Sequence, residues 1–381
     1  MEKDYVCPRC GNKDPRFVGH KNGLPYCRRC IAFQGQEAQR KPCKEKNVEL
    51  DLSYSLSREQ KALSDKALAN FIEGKDTLIY AVCGSGKTEI SYGVIGYAMS
   101  KGLRVGFALP RRDVVIELYV RLKHAFPHQS IVAVYGGHNE NLEGDCLVLT
   151  THQLYRYPQY FDLLVMDEID AFPFKGDETL IALFRRSLKG HCLMMSATPS
   201  KEIVKEFKQP GKEMLCLHTR FHKHPIPVPK TEQVFGFLQT FWIAKRLKQY
   251  QQKRLPCFIF VPSVEQSKDL FEKLNLFVKG GNYVSSKRVG RETIIQRFKE
   301  GKYLYLVTTA VLERGITVKN LQVIVAQADS SIYDAASLIQ IAGRAGRKAD
   351  APDGEVTFLC EKETDGIKGA IREIKHCNTY L

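Results

Sequence analysis

Four groups of residues in this sequence are of the types, and at the spacings, that could do chemistry. The first is Ala81-Val82-Cys83-Gly84-Ser85-Gly86-Lys87-Thr88, a P-loop pattern with alanine in place of its first glycine. Gly84 and Gly86 open backbone torsions closed to other residues, so the amides around Ser85 can ring a phosphate. Lys87 would then reach the β- and γ-phosphates of ATP, and Thr88 would ligate Mg2+. The second group is Asp167-Glu168-Ile169-Asp170, directly after an apolar run. Asp167 would hold Mg2+, while Glu168 would orient and deprotonate an attacking water. The third is Gln340-Ile341-Ala342-Gly343-Arg344-Ala345-Gly346-Arg347. Arginines at i and i+3 can project from one helix face, and their forked guanidinium groups suit phosphate oxygens. Arg344 and Arg347 would therefore serve as catalytic cations on the γ-phosphate. The fourth is a pair of C-x2-C knuckles, Cys7-Pro8-Arg9-Cys10 and Cys27-Arg28-Arg29-Cys30. Their separation reads as a four-cysteine Zn2+ site, and a redox pair would not need two knuckles.

These groups need elements to hold them. Runs 77–82, 105–109, 147–149, 163–166 and 193–195 read as short apolar strands, with a helix over 89–99. The alternation resumes with strands over 258–261, 303–307, 323–326 and 356–359, and helices over 265–274 and 291–298. Short apolar strands spaced by helices indicate βαβ units and a parallel sheet. Between the two series, Pro225, Pro227 and Pro229 alternate, as in an extended linker. The expected organisation is α/β: a four-cysteine zinc module over 1–50, one lobe over 51–222, a linker over 223–230 and a second lobe over 231–381. About 50 residues cannot build a good core, so metal ligation would supply the folding energy of the first segment.

The bulk composition agrees. The chain has 381 residues and a net charge of +15, which favours a polyanionic partner, nucleic acid first. Its 12 cysteines suit a metal and inert thiols rather than disulfides. No apolar signal segment opens the chain, and the apolar runs fall far short of a membrane span, so a cytoplasmic location is expected. Arg9, Arg28 and Arg29 would make the knuckles a DNA-facing or merely solvated surface. Trp242, Tyr155 and Tyr157 are candidate stacking platforms for bases, with packing as the plainer alternative.

The motifs occur in an order that resembles superfamily 2 helicases, which implies two RecA-like lobes. Ser196-Ala197-Thr198 is similar to motif III, and residues 260–263 to motif IV. Pro110 and Arg111 lie in a stretch similar to motif Ia; Thr151, His152 and Gln153 lie in one similar to motif Ib. Thr308, Thr309 and Gly315 lie in a stretch that resembles motif V. The resemblance implies that the residues of motifs Ia and Ib and both motif V threonines grip a nucleic-acid backbone. It also implies that Gly315 lies by the nucleotide and that Gln60 reads adenine. The N-terminal four-cysteine module, A-V-C-G-S-G-K-T-E, D-E-I-D and T-T-H-Q-L together resemble the ComFA-type late-competence family. That implies a single-stranded-DNA-stimulated ATPase and translocase driving transforming DNA across the cytoplasmic membrane. Its implied partners are a membrane channel and a phosphoribosyltransferase-like competence protein, reached without a membrane span of its own; a homo-oligomer is left open. A primosomal replication-restart helicase is the nearest alternative, but there the zinc cysteines interrupt the second lobe. A DEAD-box RNA helicase would carry alanine where Ile169 stands. An adaptor with a degenerate ATPase core is favoured by Ala81 alone.

Overall fold

The structure is a computed structural model that describes residues 5–33, 35–52, 54–170, 174, 176–286, 288–309 and 318–381. By contacts the chain divides into two compact units, one of Met1–Ala81 and Gly86–Leu217, the other of Val82–Ser85 and His218–Leu381. The first unit opens with an antiparallel hairpin, β1 (Val18–Lys21) and β2 (Leu24–Cys27). Then come α1 (Arg58–Ile72), β3 (Asp76–Ala81), α2 (Lys87–Ile90), α3 (Tyr92–Ser100), β4 (Val105–Leu109), α4 (Arg112–Ala125), β5 (Ile131–Val134) and β6 (Cys146–Thr150). It closes with β7 (Phe161–Met166), α5 (Glu178–Ser187), β8 (Leu188–Ser196), α6 (Lys201–Glu206) and β9 (Lys212–Leu217). Its parallel sheet runs β5-β6-β4-β7-β8-β3-β9. Strands covered on both faces cannot alternate polar and apolar residues, and β4 and β6 are buried along their whole length.

The second unit contains β10 (Lys230–Gln233), α7 (Gly236–Gln252), β11 (Cys257–Phe260), α8 (Val264–Phe277), β12 (Gly281–Val284), α9 (Arg291–Lys299) and β13 (Tyr305–Thr308). After the undescribed stretch it continues with β14 (Gln322–Val325), α10 (Ala335–Ala342), β15 (Val356–Cys360) and α11 (Asp365–Asn378). Its sheet, order β10-β15-β14-β11-β13-β12, is also parallel throughout. The proline-spaced segment is tied down at one point. Ile226 is buried, its N–H donates to Asn378 Oδ1 at 2.9 Å, and its carbonyl accepts from Asn378 Nδ2 at 2.9 Å.

Both RecA-like sheets expected from the sequence are present, with differences in detail. The helix expected over 89–99 is two helices, α2 and α3, meeting at Ser91, whose hydroxyl donates to the Thr88 carbonyl at 2.6 Å. A serine that hydrogen-bonds backward competes with the helical ladder and marks the break. Residues 36–52 form no regular element. They lie across the first unit as a strap: Arg156 Nη1 donates to Gln36 O, Arg104 Nη2 to Lys41 O, and Lys46 N to Ser100 O. No helix among the described residues is long and apolar enough to cross a membrane.

Candidate functional site

The P-loop follows β3. Gly84 and Gly86 take φ of 83° and 77°, the left-handed region that only glycine enters cheaply. The substituted position behaves differently. Ala81 is the last residue of β3, in extended backbone, with its methyl buried in the core of the first unit. A side chain there costs nothing, so the one feature favouring a degenerate site does not distort the loop. Lys87 opens α2, and its ammonium donates to the Ala81 carbonyl at 2.9 Å. Gln60 sits against the same loop, since a Cβ on Gly86 would collide with its Nε2. Its Oε1 accepts from Ser57 N at 2.8 Å, closing a capping box that fixes the start of α1. Thr88 is half-buried one residue on from Lys87.

Asp167 and Glu168 stand at the carboxyl tip of β7, where parallel sheets place ligand-binding groups. Glu168 holds φ at 59°, strained for a residue with a Cβ, and its N–H donates to Asp167 Oδ1 at 2.8 Å. Such strain persists where surrounding structure demands a particular side-chain direction. Desolvation pushes the Asp167 carboxyl up to about 6, against the lowering field of Lys87 and with a further rise from Glu168. A buried carboxyl in the field of a single ammonium, with a second carboxyl next to it, fits a divalent cation, which Thr88 and Asp167 would hold.

Two residues that the sequence motifs include but give no role complete this wall. Asp170 accepts from Ser196 Oγ at 2.8 Å and from Thr198 Oγ1 at 2.6 Å, joining the acidic tip of β7 to the Ser-Ala-Thr segment after β8. Glu89 is buried; it accepts from Tyr54 OH at 2.7 Å and pairs with Arg121, bracing the first turn of α2. Replacing Asp170 by Ala orphans two hydroxyls, each costing about 1–3 kcal/mol where buried. A fall in the denaturant midpoint of the first unit is expected, with slower ATP turnover and unchanged nucleotide affinity.

The nucleic-acid candidates separate by exposure. Arg111 caps α4, beside the buried Pro110, and His152 is exposed. Desolvation lowers the imidazole pKa of His152, so at neutral pH it offers a neutral N–H rather than a charge. Thr151, Thr308 and Thr309 are buried, and Gln153 is occupied in accepting from Arg156 Nε at 2.7 Å. Tyr155 and Tyr157 are core residues and Trp242 packs on the core of the second unit, so packing accounts for all three. An aromatic pair the sequence reading missed lies after β5. Tyr135 and His138 stack at 4.9 Å with planes 21° apart, and Arg112 covers the Tyr135 ring at 4.9 Å. The Tyr-Gly-Gly-His spacing was its only signal. Gly315 lies outside the described residues. In the second unit Arg344 is buried and Arg347 half-buried, on the turn that ends α10.

The cysteine module is built from two turns. Gly11, at φ 65°, donates to the Cys7 carbonyl at 2.8 Å and closes the first knuckle; the second runs from the end of β2 into a 3-10 turn, Arg28–Cys30. All four sulfurs lie within 4.8 Å of one another. Cys7–Cys30 and Cys10–Cys27 are each 3.8 Å apart, too far for disulfides. Zn–S bonds of about 2.3 Å in a tetrahedron give sulfur separations of about 3.8 Å, so the donor set fits a thiolate-bound metal such as Zn2+. The module docks on the first unit through Phe33, whose ring lies 6.2 Å from His152 and 5.8 Å from Tyr155. Two of its arginines are already engaged: Arg29 pairs with Glu178 of α5 at 2.7 Å, and Arg9 donates to the Phe33 carbonyl within the module. Arg28 and Lys21 remain exposed.

Comparison with known proteins agrees with this geometry. Residues 61–207 match the DEAD/DEAH box helicase family and residues 239–349 the helicase conserved C-terminal domain. The structure is similar to Saccharomyces cerevisiae Dbp5 bound to RNA and ADP BeF3 (TM-score 0.65, 16% identity, 86% of this chain and 93% of that one). It is also similar to Mycobacterium smegmatis Lhr bound to single-stranded DNA and AMP-PNP (TM-score 0.61, 17% identity, 83% and 48%). At those identities the likeness concerns the fold. In sequence, the chain is 33% identical to competence protein ComFA of Bacillus subtilis over 99% of its own length and 86% of that protein. It is 32% identical to the ComFA of Streptococcus pneumoniae over 98% and 90%. The chain therefore belongs to the ComFA competence-protein family, and is a nucleic-acid-dependent ATPase of the DEAD/DEAH-box helicase type.

Proposed function

We propose that this ATPase is stimulated by single-stranded DNA and translocates along it, drawing transforming DNA inward across the cytoplasmic membrane. The observation that carries the reading is one chain holding an undistorted P-loop, paired carboxyls at β7 and a docked four-cysteine module, with ComFA proteins alike over nearly its whole length. In this reading it works at the inner face of the membrane through partners, a DNA channel and a phosphoribosyltransferase-like competence protein.

The chemistry follows from the residues. Lys87 exchanges the Ala81 carbonyl for the β- and γ-phosphates of ATP, while the amides around Gly84, Ser85 and Gly86 cradle them. Thr88 and Asp167 would hold Mg2+, which would supply charge neutralisation at the phosphate oxygens. Glu168 accepts a proton from the attacking water, which displaces ADP from the γ-phosphorus. Arg344 and Arg347 stabilise the charge on the transferring group. The grip on DNA falls to Arg111, His152 and the Tyr135–His138 platform, which touch backbone and base faces without reading sequence.

Translocation is tested by ATP-driven displacement of streptavidin from one end of a biotinylated single strand. Displacement is expected from one end only, and none in Lys87→Ala. Equal displacement with and without ATP would remove the motor reading.

A further inference from the structure

Arg220 lies three residues beyond β9, outside every motif that does chemistry. It is only 2% exposed. Both of its Nη atoms donate into one turn. Nη1 donates to the carbonyls of Ala345 at 3.0 Å and Gly346 at 2.6 Å, and Nη2 to that of Gly343 at 3.3 Å. Gly343 is the C-cap of α10, and Ala345 and Gly346 lie in the turn just beyond it, near the negative end of the helix dipole. Among the described residues no carboxylate pairs with Arg220, so a buried cation is balanced by carbonyl dipoles alone. Burial pulls its pKa down to about 10, and the nearby charge of Arg347 acts in the same direction. A charge held so expensively needs a reason other than packing.

The turn it holds is fixed from the other side as well. Gly346 takes φ 60°, and a Cβ there would collide with the Pro352 carbonyl and come within 3.3 Å of Pro227 Cγ. Within the turn Arg344 N donates to Ile341 O at 3.0 Å and Ala345 N to Ala342 O at 3.1 Å. Arg344 and Arg347 thus flank carbonyls that have been immobilised one by one.

We propose that Arg220 is a positioning residue for hydrolysis: its fork clamps Gly343, Ala345 and Gly346 and so sets the directions in which Arg344 and Arg347 reach the γ-phosphate. This rests on the reading of those two arginines as the cations that meet the phosphate. A lysine cannot reproduce the clamp, because its ammonium is a point donor without the planar fork.

The test compares full-length Arg220→Lys, Arg220→Ala, Arg344→Lys and Arg347→Lys for kcat, KM for ATP and melting temperature. In Arg220→Lys, kcat should fall about 10–100-fold, the effect of misplacing a catalytic group by about 1 Å. KM should stay within about twofold, because ground-state binding rests on the P-loop. In Arg220→Ala, millimolar guanidinium chloride should restore part of kcat where equal sodium chloride does not. A merely structural role predicts parallel loss of kcat and melting temperature with no guanidinium rescue, and that result overturns the proposal. Normal turnover in Arg220→Lys with loss in Arg344→Lys and Arg347→Lys defeats this proposal alone. Normal turnover in the latter two defeats the reading beneath it.

Discussion

Glu168→Gln should leave ATP binding intact while lowering steady-state turnover by about 10²–10⁴-fold, the usual worth of a general base. The substitution keeps the shape of the side chain and removes its negative charge, and with it the capacity to take a proton. The strained backbone at φ 59° and the hydrogen bond to Asp167 Oδ1 do not depend on the terminal oxygen, so the loop should stay in place. Asp167→Asn takes the charge from the proposed cation ligand instead and should raise the Mg2+ concentration needed for turnover before it alters nucleotide affinity. The two carboxyls are thereby separable: a fluorescent ATP analogue binding to Glu168→Gln as it does to the unmodified protein, with turnover lost, assigns the base to Glu168. Turnover within about tenfold of the unmodified protein would place the base elsewhere.

Loss of the metal that the four cysteines are proposed to hold should unfold the cysteine module. Residues 5–33 contain one two-stranded hairpin and short turns, and their only buried apolar side chains are three of the cysteines, Cys7, Cys27 and Cys30. Structural zinc contributes about 10–16 kcal/mol of folding free energy in modules of this size, far beyond anything this core could replace. Cys27→Ser, or chelation, should therefore abolish bound metal and open residues 5–33 to protease, while residues 54–217 keep their melting transition. Because Phe33 lies against His152 and Tyr155, unfolding the module also strips the outer side of the 3-10 turn Thr151–Arg156. Single-stranded DNA affinity should fall with it. Unchanged protease resistance in metal-free protein would show that the module is held by its docking contacts instead.

How much of this was legible in the sequence follows from what kind of physics each feature uses. The P-loop, the β7 carboxyls and the knuckles were readable because their chemistry is local: glycine torsions, a strand tip and sulfur spacing fix them within a few residues. The buried parallel strands were readable because they are apolar on both faces. The strand β10, Lys-Thr-Glu-Gln, was not, since it is an edge strand with no apolar signal and exists only by pairing with β15. Ala81 looked like damage because a pattern treats its first glycine as necessary, whereas here that position is still extended strand. Thr151 and Thr308 are buried, and burial is a tertiary property that a motif does not carry. Asp170 with Ser196 and Thr198, the strap over 36–52, Phe33 on His152, and Arg220 on the end of α10 all join residues distant in sequence. No local pattern encodes them.

The measurement that bears most directly on the account is steady-state ATP hydrolysis by metal-replete protein at one fixed salt, without nucleic acid and with single-stranded DNA, duplex DNA or RNA, using Lys87→Ala as the baseline. Strong stimulation by single-stranded DNA above the other three conditions is the predicted result. Stimulation chiefly by RNA, or turnover no higher than Lys87→Ala under every condition, would contradict a motor that works on single-stranded DNA.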